Sequence, residues 1–162
     1  MLPASTIRGW QIDQLRKGLQ ILGGILKSVS REDATTYRDG GTGWTVLEVL
    51  CHLRDYEDVF QERTSLTVER DVPDLPNPNP DEWAVERRYN EQDLSAVYDE
   101  WVRRRHRFLA YLEGLDESSW QRTARHPRRG VMTLQDQLAL AAWHDVNHIE
   151  QITRILAGKK VG

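Results

Sequence analysis

Two histidines lie four residues apart near the carboxyl end of the sequence, in the stretch "WHDVNHIEQI". In a helix, His144 and His148 would sit one turn apart on the same face, with Asp145 between them. Two imidazoles in this arrangement can bind one divalent metal ion. They can equally be a solvated pair or a hydrogen-bonded pair in the core, so the neighbouring residues have to decide.

A helical wheel places both side chains in the middle of an apolar arc. At about 100° per residue, His144 lies roughly 40° from His148, and Ala141 and Ile152 lie on the same side. This position disfavours the solvated pair. Inward-facing imidazoles need partners, because an unpaired buried polar group costs about 1–3 kcal/mol.

A third histidine, His52, shares the inward arc of another predicted helix, between Val49 and Tyr56. Three imidazoles with one open coordination position are the ligand set of a catalytic zinc site. Nickel or iron fit the same ligands, and the sequence does not choose among them. We therefore predict that His52, His144 and His148 bind one divalent metal ion.

Asp145 has two interpretations. The stretch "HDVNH" resembles a relaxed form of the metalloprotease motif H-E-x-x-H, in which the acidic residue is the general base. A third ligand downstream is then required, but the residues after His148 include no further histidine and only Glu150 as an acid. We therefore expect Asp145 to orient an imidazole, or to act as a base for a bound thiol or water. Gln151, one turn from His148, is a further polar neighbour.

The remaining candidates are interpreted as structural. His106 is expected at the surface, and His126, in "RHPRRG", is expected to be a plain loop residue. Cys51 is expected to be a small buried residue. The run at 103–107 is interpreted as a solvated face, with the alternative that Arg104 or Arg105 reaches a carboxylate of a cofactor.

Four segments carry the 3.6-residue apolar periodicity of helices. They are predicted to run from about 12 to 29, from a capping box at Thr45 and Glu48, from near Asn90 to 115, and from Thr133 and Asp136 to Gly158. Long connections at 72–80 and 114–132 separate them, and connections of this length often lie over a site. Because no strand alternation is visible, we predict an all-α four-helix bundle; an irregular all-α domain is the alternative.

Composition narrows the class of protein. The 162 residues fit one domain, 1–162. A net charge of −3 disfavours nucleic-acid binding. One cysteine excludes an intramolecular disulfide. With no signal-peptide pattern and no run of 18 apolar residues, we expect a cytoplasmic protein without a membrane partner.

Two blocks of the sequence, "GWTVLEVLCHLRDYE" and "HPRRGVMTLQDQLALAAWHDVNHIEQI", resemble the DinB-like superfamily, which includes bacillithiol- and mycothiol-dependent enzymes. The resemblance implies a bundle in up-down-down-up order, often as a homodimer. It also implies metal ligands on the second and fourth helices, at the positions of His52, His144 and His148.

The resemblance and the histidine pattern lead to two hypotheses. The first is a divalent-metal-dependent enzyme that activates a low-molecular-weight thiol or water for transfer to a small-molecule substrate. The thiol would come from outside, because Cys51 points about 100° away from His52. The second is a non-catalytic dimeric binding or scaffold module with a structural or vestigial metal. The outward-facing Trp143 and Val146 would suit a subunit interface.

Overall fold

Four long helices and a small hairpin make up most of the chain. The computed structural model describes residues 1–158. Its helices are α1 (Ala4–Leu26), α2 (Arg31–Thr36), α3 (Val46–Glu69), α4 (Pro80–Glu86), α5 (Leu94–Glu113) and α6 (Leu134–Gly158), its strands are β1 (Thr123–His126) and β2 (Gly130–Thr133), and single 3-10 turns occupy Asp39–Gly41, Tyr89–Glu91 and Glu117–Gln121. The long helices α1, α3, α5 and α6 form a four-helix bundle, as predicted.

Helices α1 and α6 lie side by side and run in the same direction. Gln135 donates a hydrogen bond to Gln11 at their beginnings. About two to three turns further along both helices, the backbone of Gly18 closely approaches the carboxylate of Asp145. The first and last long helices of the bundle are therefore parallel.

Helix α3 runs against α6 and alongside α5. Its His52 contacts His148 late in α6, and its Thr67 contacts Gln137 early in α6. Along α3 and α5 the contacts advance together, because Arg54 pairs with Glu100 and Asp58 pairs with Arg107, so these two helices run in the same direction. The order up-down-down-up is therefore confirmed.

Both predicted capping boxes are present at the helices that carry the histidines. The hydroxyl of Thr45 accepts from the amide of Glu48, whose carboxylate accepts from the Thr45 amide. Thr133 and Asp136 make the same pair of bonds at the start of α6. These bonds satisfy amides that a helix leaves unpaired at its first turn, and so fix where each helix begins.

The third long helix begins later than predicted. Asp93 caps it by accepting from the amide of Ala96, while Asn90 belongs to the preceding 3-10 turn. The side chain of Asn90 instead accepts from Thr45 and donates to the backbone of Thr35. Asn90 and Asp93 are both of residue types that cap helices, and the sequence does not show which of them caps this helix.

The bundle is accompanied by a small hairpin that the sequence pattern did not reveal. The connection 114–132 contains the antiparallel pair β1–β2, in which Ala124 faces Met132 and His126 faces Gly130. Each strand has only four residues, too few for alternation to be visible in the sequence. Gly130 has a φ of +75°, which glycine adopts without steric cost, so the turn depends on this residue.

The proline-rich connection 72–80 packs against this hairpin. The amide of Leu75 donates to the carbonyl of Arg125, and the amide of Arg125 donates to the carbonyl of Pro73, both at 2.8 Å. Leu75 is buried beneath them. The proline-rich segment 72–80 and the hairpin are therefore held together at one side of the bundle.

The core divides into two apolar clusters along the bundle, one around Leu22, Leu50 and Trp101 and the other around Phe60, Phe108 and Leu138. Among residues 1–158, no helix is both long enough and apolar enough to cross a membrane.

Candidate metal centre

The three predicted histidines lie together between α3 and α6. One ring nitrogen from each of His52, His144 and His148 lies within 4.8 Å of the others. Nε2 of His52 is 2.8 Å from Nε2 of His144. The ring centroids are 4.4–4.9 Å apart. The antiparallel packing of α3 and α6 brings together residues that are 92 positions apart in the sequence.

Burial keeps these imidazoles neutral. Burial, followed by the neighbouring histidines, lowers the pKa of His52 and of His144 well below the ordinary value. Burial also lowers the pKa of His148. Metal ions bind the unprotonated imidazole, so these shifts favour the form that a metal needs at neutral pH.

His52 and His144 do not form a satisfied core pair, and their facing Nε2 atoms are placed to share a divalent metal. Whichever of His52 and His144 donates across the 2.8 Å contact, Nδ1 of both rings is buried without a partner among the described residues. A self-contained hydrogen-bonded core pair would satisfy these atoms. Tetrahedral ligands bound at 2.0–2.1 Å lie about 3.3 Å from one another, so small ring rotations suffice.

A short hydrogen-bond chain orients His148. Its Nδ1 is 2.8 Å from Oε1 of Gln151, as the spacing of these two residues suggested. Gln151 in turn donates to Asp39, which also pairs with Arg154. With Nδ1 engaged in this way, Nε2 of His148 is the nitrogen free to act as a ligand.

Aromatic rings form the wall of the centre. Trp44 stacks near His148, and Tyr56 stacks on His144 with their planes 15° apart. Phe60 meets His144 edge to face. The hydroxyl of Tyr56 donates to the carbonyl of Pro78, which fixes its ring against the histidines.

A cavity of about 270 Å³ opens beside the three histidines. Besides the aromatic wall, its lining includes Leu140 and Trp143 from α6, Arg63 from α3, Asn77, Pro78 and Pro80 from the proline-rich connection, and His126, Arg128 and Arg129 from the hairpin. Both long connections therefore lie over the site. The opening leaves room for a small molecule to approach the ring nitrogens.

Asp145 has a different partner from the one expected. Its two carboxylate oxygens accept from Nη1 and Nη2 of Arg105 at 2.6 and 2.9 Å. Arg105 also binds Glu57, whose pKa is raised by burial. The position of Asp145 is explained by this buried ion cluster rather than by a bond to an imidazole.

The interpretation of the run at 103–107 needs correction for Arg105, which is only 1% exposed. It is neither on a solvated face nor free to reach a cofactor. Burial alone would lower the pKa of Arg105, but Asp145 and Glu57 raise it above its ordinary value. Arg104 pairs with Asp55 and Asp58. The spacing of residues within one helix does not show that two acidic residues from other helices face this arginine.

His126 is not a plain loop residue. It ends β1, is buried, and lines the cavity. Its Nδ1 accepts from the amide of Arg128, so Nε2 carries the proton. Pro127 and Gly130, which follow this histidine in the sequence, are typical of turns and could have indicated a hairpin.

Two minor predictions are confirmed. His106 is exposed. Cys51 is fully buried, its thiol lies 3.7 Å from the carbonyl of Tyr89, and burial raises its pKa to about 12. Cys51 is therefore no nucleophile for this site.

A sequence model of the DinB superfamily matches residues 14–152, a span that includes all three histidines. The chain belongs to the DinB superfamily. The resemblance seen in the two sequence blocks is thereby confirmed.

Similar proteins of this superfamily carry names that refer to metal-dependent hydrolysis. "Putative metal-dependent hydrolase OB0782" of Oceanobacillus iheyensis is 30% identical over 131 residues, which cover 77% of this chain and 71% of the relative. "Putative metal-dependent hydrolase YfiT" of Bacillus subtilis is 30% identical over 122 residues, which cover 75% of this chain and 67% of the relative.

Solved structures share the fold. YfiT from Bacillus subtilis, described as a probable metal-dependent hydrolase with an unusual four-helix bundle topology, superposes with a TM-score of 0.86 at 25% identity, covering 96% of this chain and 89% of its own. A mycothiol-dependent maleylpyruvate isomerase superposes with a TM-score of 0.74 at 12% identity, covering 93% of this chain and 61% of its own. The second likeness concerns the fold alone.

Proposed function

We propose that the protein is a divalent-metal-dependent enzyme that uses water or a low-molecular-weight thiol as the nucleophile against a small-molecule substrate. The observation that carries this proposal is the convergence of His52, His144 and His148 beside an open cavity. A bound zinc, nickel or iron ion would lower the pKa of a water or thiol at the site, which supplies a nucleophile at neutral pH.

The residues of the chain hold and shield this site. His52, His144 and His148 would be the ligands, with Gln151 fixing the ring of His148. The rings of Tyr56 and Phe60 exclude bulk water from one side of the histidines. A substrate would enter through the remaining side, where the cavity opens.

The nucleophile would be supplied from outside the chain. Cys51 is next to His52 in sequence, but its thiol is fully buried, lies beside the carbonyl of Tyr89 and has its pKa raised to about 12. A hydrolase would use water, in keeping with the names of the relatives. A transferase would use a free thiol.

A non-catalytic module with a structural or vestigial metal is the second candidate. A structural site usually takes a fourth ligand from the protein. In the described part of the chain, the group of possible ligands at this site contains the three histidines and no carboxylate or thiol. This arrangement favours the enzyme.

We also propose that the protein is a cytoplasmic homodimer without a nucleic-acid or membrane partner. The exposed side chains Trp10 and Ile21 of α1 and Val146 of α6 line one groove, whereas Trp143, which was also expected at an interface, lines the cavity beside the histidines. A second copy of the chain could cover this apolar surface.

The experiment that tests the function is an assay of zinc-, nickel- and iron-reconstituted protein. One arm uses a panel of esters and amides with water as the nucleophile, and the other uses low-molecular-weight thiols with small electrophiles. We expect turnover in one arm that is lost in His52→Ala and kept in His106→Ala, in which an exposed histidine is removed. Equal turnover by metal-free protein would contradict the proposal.

A further inference from the structure

Three arginines line the cavity beside the histidines, and we call Arg63, Arg128 and Arg129 the arginine rim. No aspartate or glutamate lines this cavity among the described residues. The chain as a whole has a net charge of −3. The charge around the cavity therefore has the opposite sign to that of the whole molecule.

Arg63 is held firmly but lacks an anionic partner. It is 4% exposed; its Nε donates to the carbonyl of Pro76 at 2.9 Å, and its Nη2 donates to Oδ1 of Asn77 at 3.2 Å. Both acceptors are neutral. In residues 1–158, its Nη1 has no hydrogen-bond partner, so one amino group of a fixed guanidinium remains available beside the cavity.

The other buried arginines show how this protein usually neutralises such a charge. Burying an unpaired charge is costly, so buried cations are normally paired. In the described part of the chain, three of the four buried arginines pair with carboxylates, as Arg8 with Glu117, Arg54 with Asp55, and Arg105 with Glu57 and Asp145. Arg63 is the exception, and it is the one that lines the cavity.

Arg128 and Arg129 bring further positive charge to the mouth. They lie on the exposed turn between β1 and β2, and neither makes an ion pair within residues 1–158. Burial lowers the pKa of His126, and the positive charges of Arg63, Arg129 and Arg128 lower it further. The charge of the turn therefore acts on a side chain that lines the cavity. Exposed arginines on a turn can adjust to a ligand that the fixed Arg63 first orients.

We propose that the arginine rim binds a carboxylate of the small molecule whose other end reaches the three histidines. The identity of the reacting end rests on the proposed function; the carboxylate site itself rests on the rim. The wall between the two regions, formed by Tyr56, Phe60 and Trp143, fits an apolar or aromatic body. The rim therefore selects small organic acids over neutral or cationic molecules of the same size.

The first test compares three thiols of similar length on zinc-loaded protein by calorimetry: 3-mercaptopropionate, 3-mercaptopropan-1-ol and cysteamine. All three offer sulfur to the histidine centre, and they differ in the charge at the far end. We expect the carboxylate to bind about tenfold more tightly than the alcohol, the effect of one charge-assisted hydrogen bond, and cysteamine to bind most weakly. Equal affinity for all three would overturn the proposal.

Variants then assign the effect to the rim. Arg63→Gln and the double variant Arg128→Gln/Arg129→Gln should each lose most of the preference for the carboxylate, whereas Arg63→Lys should keep part of it. The control Arg103→Gln/Arg107→Gln removes the same charge as the double variant from α5. An equal loss in the control would mean that net charge, rather than the rim, governs binding.

A metal-free arm separates this proposal from the proposed function. Benzoate, which has no thiol, is titrated into metal-free wild-type protein and into His148→Ala, with tryptophan fluorescence as the readout. We expect benzoate to bind both proteins and to lose affinity in the rim variants, even if no metal-dependent reaction exists. Benzoate binding that is unaffected by Arg63→Gln and by the double variant would overturn the carboxylate site. Thermal denaturation of each variant shows that it is folded.

The two arms also distinguish the source of the carboxylate. Benzoate is therefore also titrated into the zinc-loaded protein. A loss of affinity in Arg63→Gln that is larger for 3-mercaptopropionate than for benzoate supports a rim that receives the acidic end of a thiol, and a larger loss for benzoate supports a rim that receives an acidic substrate. Either result supports the rim as a carboxylate site.

Discussion

At the scale of single residues, the site depends on imidazoles that are held neutral by their surroundings. His52 lies on α3, and His144 and His148 lie on α6; their rings contact one another beside the cavity. Two Nδ1 atoms remain unpaired there among the described residues. A chain that keeps such a cluster without a metal carries an energetic cost, which metal binding can offset.

This cost predicts how the stability of the metal-free protein depends on pH. The pKa of His52 and of His144 is well below its ordinary value in the folded protein, and about 6.5 in the unfolded chain. Below pH 6.5 the unfolded chain therefore binds more protons. We expect the free energy of unfolding to fall between pH 7 and 5, by up to about 1.4 kcal/mol per pH unit for each histidine that stays neutral.

Urea denaturation at several pH values measures this slope. The variant His144→Gln should lower it, because one neutral imidazole is removed, while His106→Gln, at an exposed position, should leave it unchanged. An identical slope in wild type and His144→Gln would show that the buried imidazoles do not set the pH dependence.

The convergence of the three histidines could be predicted because each falls on the apolar arc of a strongly periodic helix, where spacing fixes the direction of the side chain. His126 and Arg63 could not be predicted as site residues. Their positions depend on a four-residue strand and on a proline-rich connection, and neither follows from helical periodicity. Asp145 was expected to orient an imidazole or to act as a base, but its carboxylate pairs with Arg105 of α5, a contact that the sequence does not encode locally.

At the scale of elements, a buried ion cluster joins the helices. Arg105 of α5 binds Glu57 of α3 and Asp145 of α6, and its Nη1 also donates to the carbonyl of Leu15 in α1 at 2.9 Å. All four long helices therefore meet at one guanidinium. Because Asp145 lies between His144 and His148, this cluster also fixes the rotation of α6 that turns the histidines toward α3.

Removing Arg105 should destabilise the protein strongly. Arg105→Met leaves two buried carboxylates without their cation, and we expect a loss of about 3–5 kcal/mol in the free energy of unfolding. The control Arg107→Met removes an arginine that pairs with Asp58 at the surface, and should cost about 1 kcal/mol or less. Chemical denaturation of both variants tests this difference; similar losses would contradict the role of the cluster.

Two glycines of α1 should respond in opposite ways to alanine. A Cβ atom on Gly18 would lie 2.9 Å from Oδ2 of Asp145, which Arg105 holds in place, so Gly18→Ala should destabilise the protein by about 1–3 kcal/mol. Gly24 has nothing within 4 Å of that position, and Gly24→Ala should stabilise by about 0.5–1 kcal/mol. Thermal melts of both variants test the close approach of α1 and α6. Equal changes in stability for the two variants would contradict it.

Much of the architecture at this scale was readable in the sequence. The boundaries at Thr45 and Thr133 follow from capping boxes, and the apolar stripes identify four helices. The start of α5 at Asp93 and the hairpin escaped prediction for local reasons: two residues compete as caps, and four-residue strands are too short to show alternation. The direction of each helix was predicted from the family resemblance and not from the spacing of apolar residues.

At the scale of the whole molecule, one apolar groove remains exposed along α1 and α6. It is lined by Trp10, Ile21 and Val146, which are 60%, 51% and 48% exposed. The proposed homodimer would cover these side chains. Its interface would lie on the face of α6 opposite to the histidines, so each copy would keep its own open cavity.

Charge placed in this groove should separate the subunits. We expect wild-type protein to have the mass of a dimer in light scattering, and Ile21→Glu/Val146→Glu to have the mass of a monomer, because a dry interface does not accommodate unpaired carboxylates. Val85→Glu, at an exposed position on α4, should remain a dimer. A monomeric wild type, or a double variant that stays dimeric, would contradict this interface.

The central claim is that three imidazoles from two helices share one metal ion, and X-ray absorption spectroscopy of zinc-loaded protein tests it most directly. We predict one zinc per chain, three imidazole nitrogens at about 2.0–2.1 Å and one exchangeable light-atom ligand. In His148→Ala the imidazole contribution should fall or the zinc should be lost. A zinc environment without imidazole, or one that is unchanged in His148→Ala, would contradict the claim.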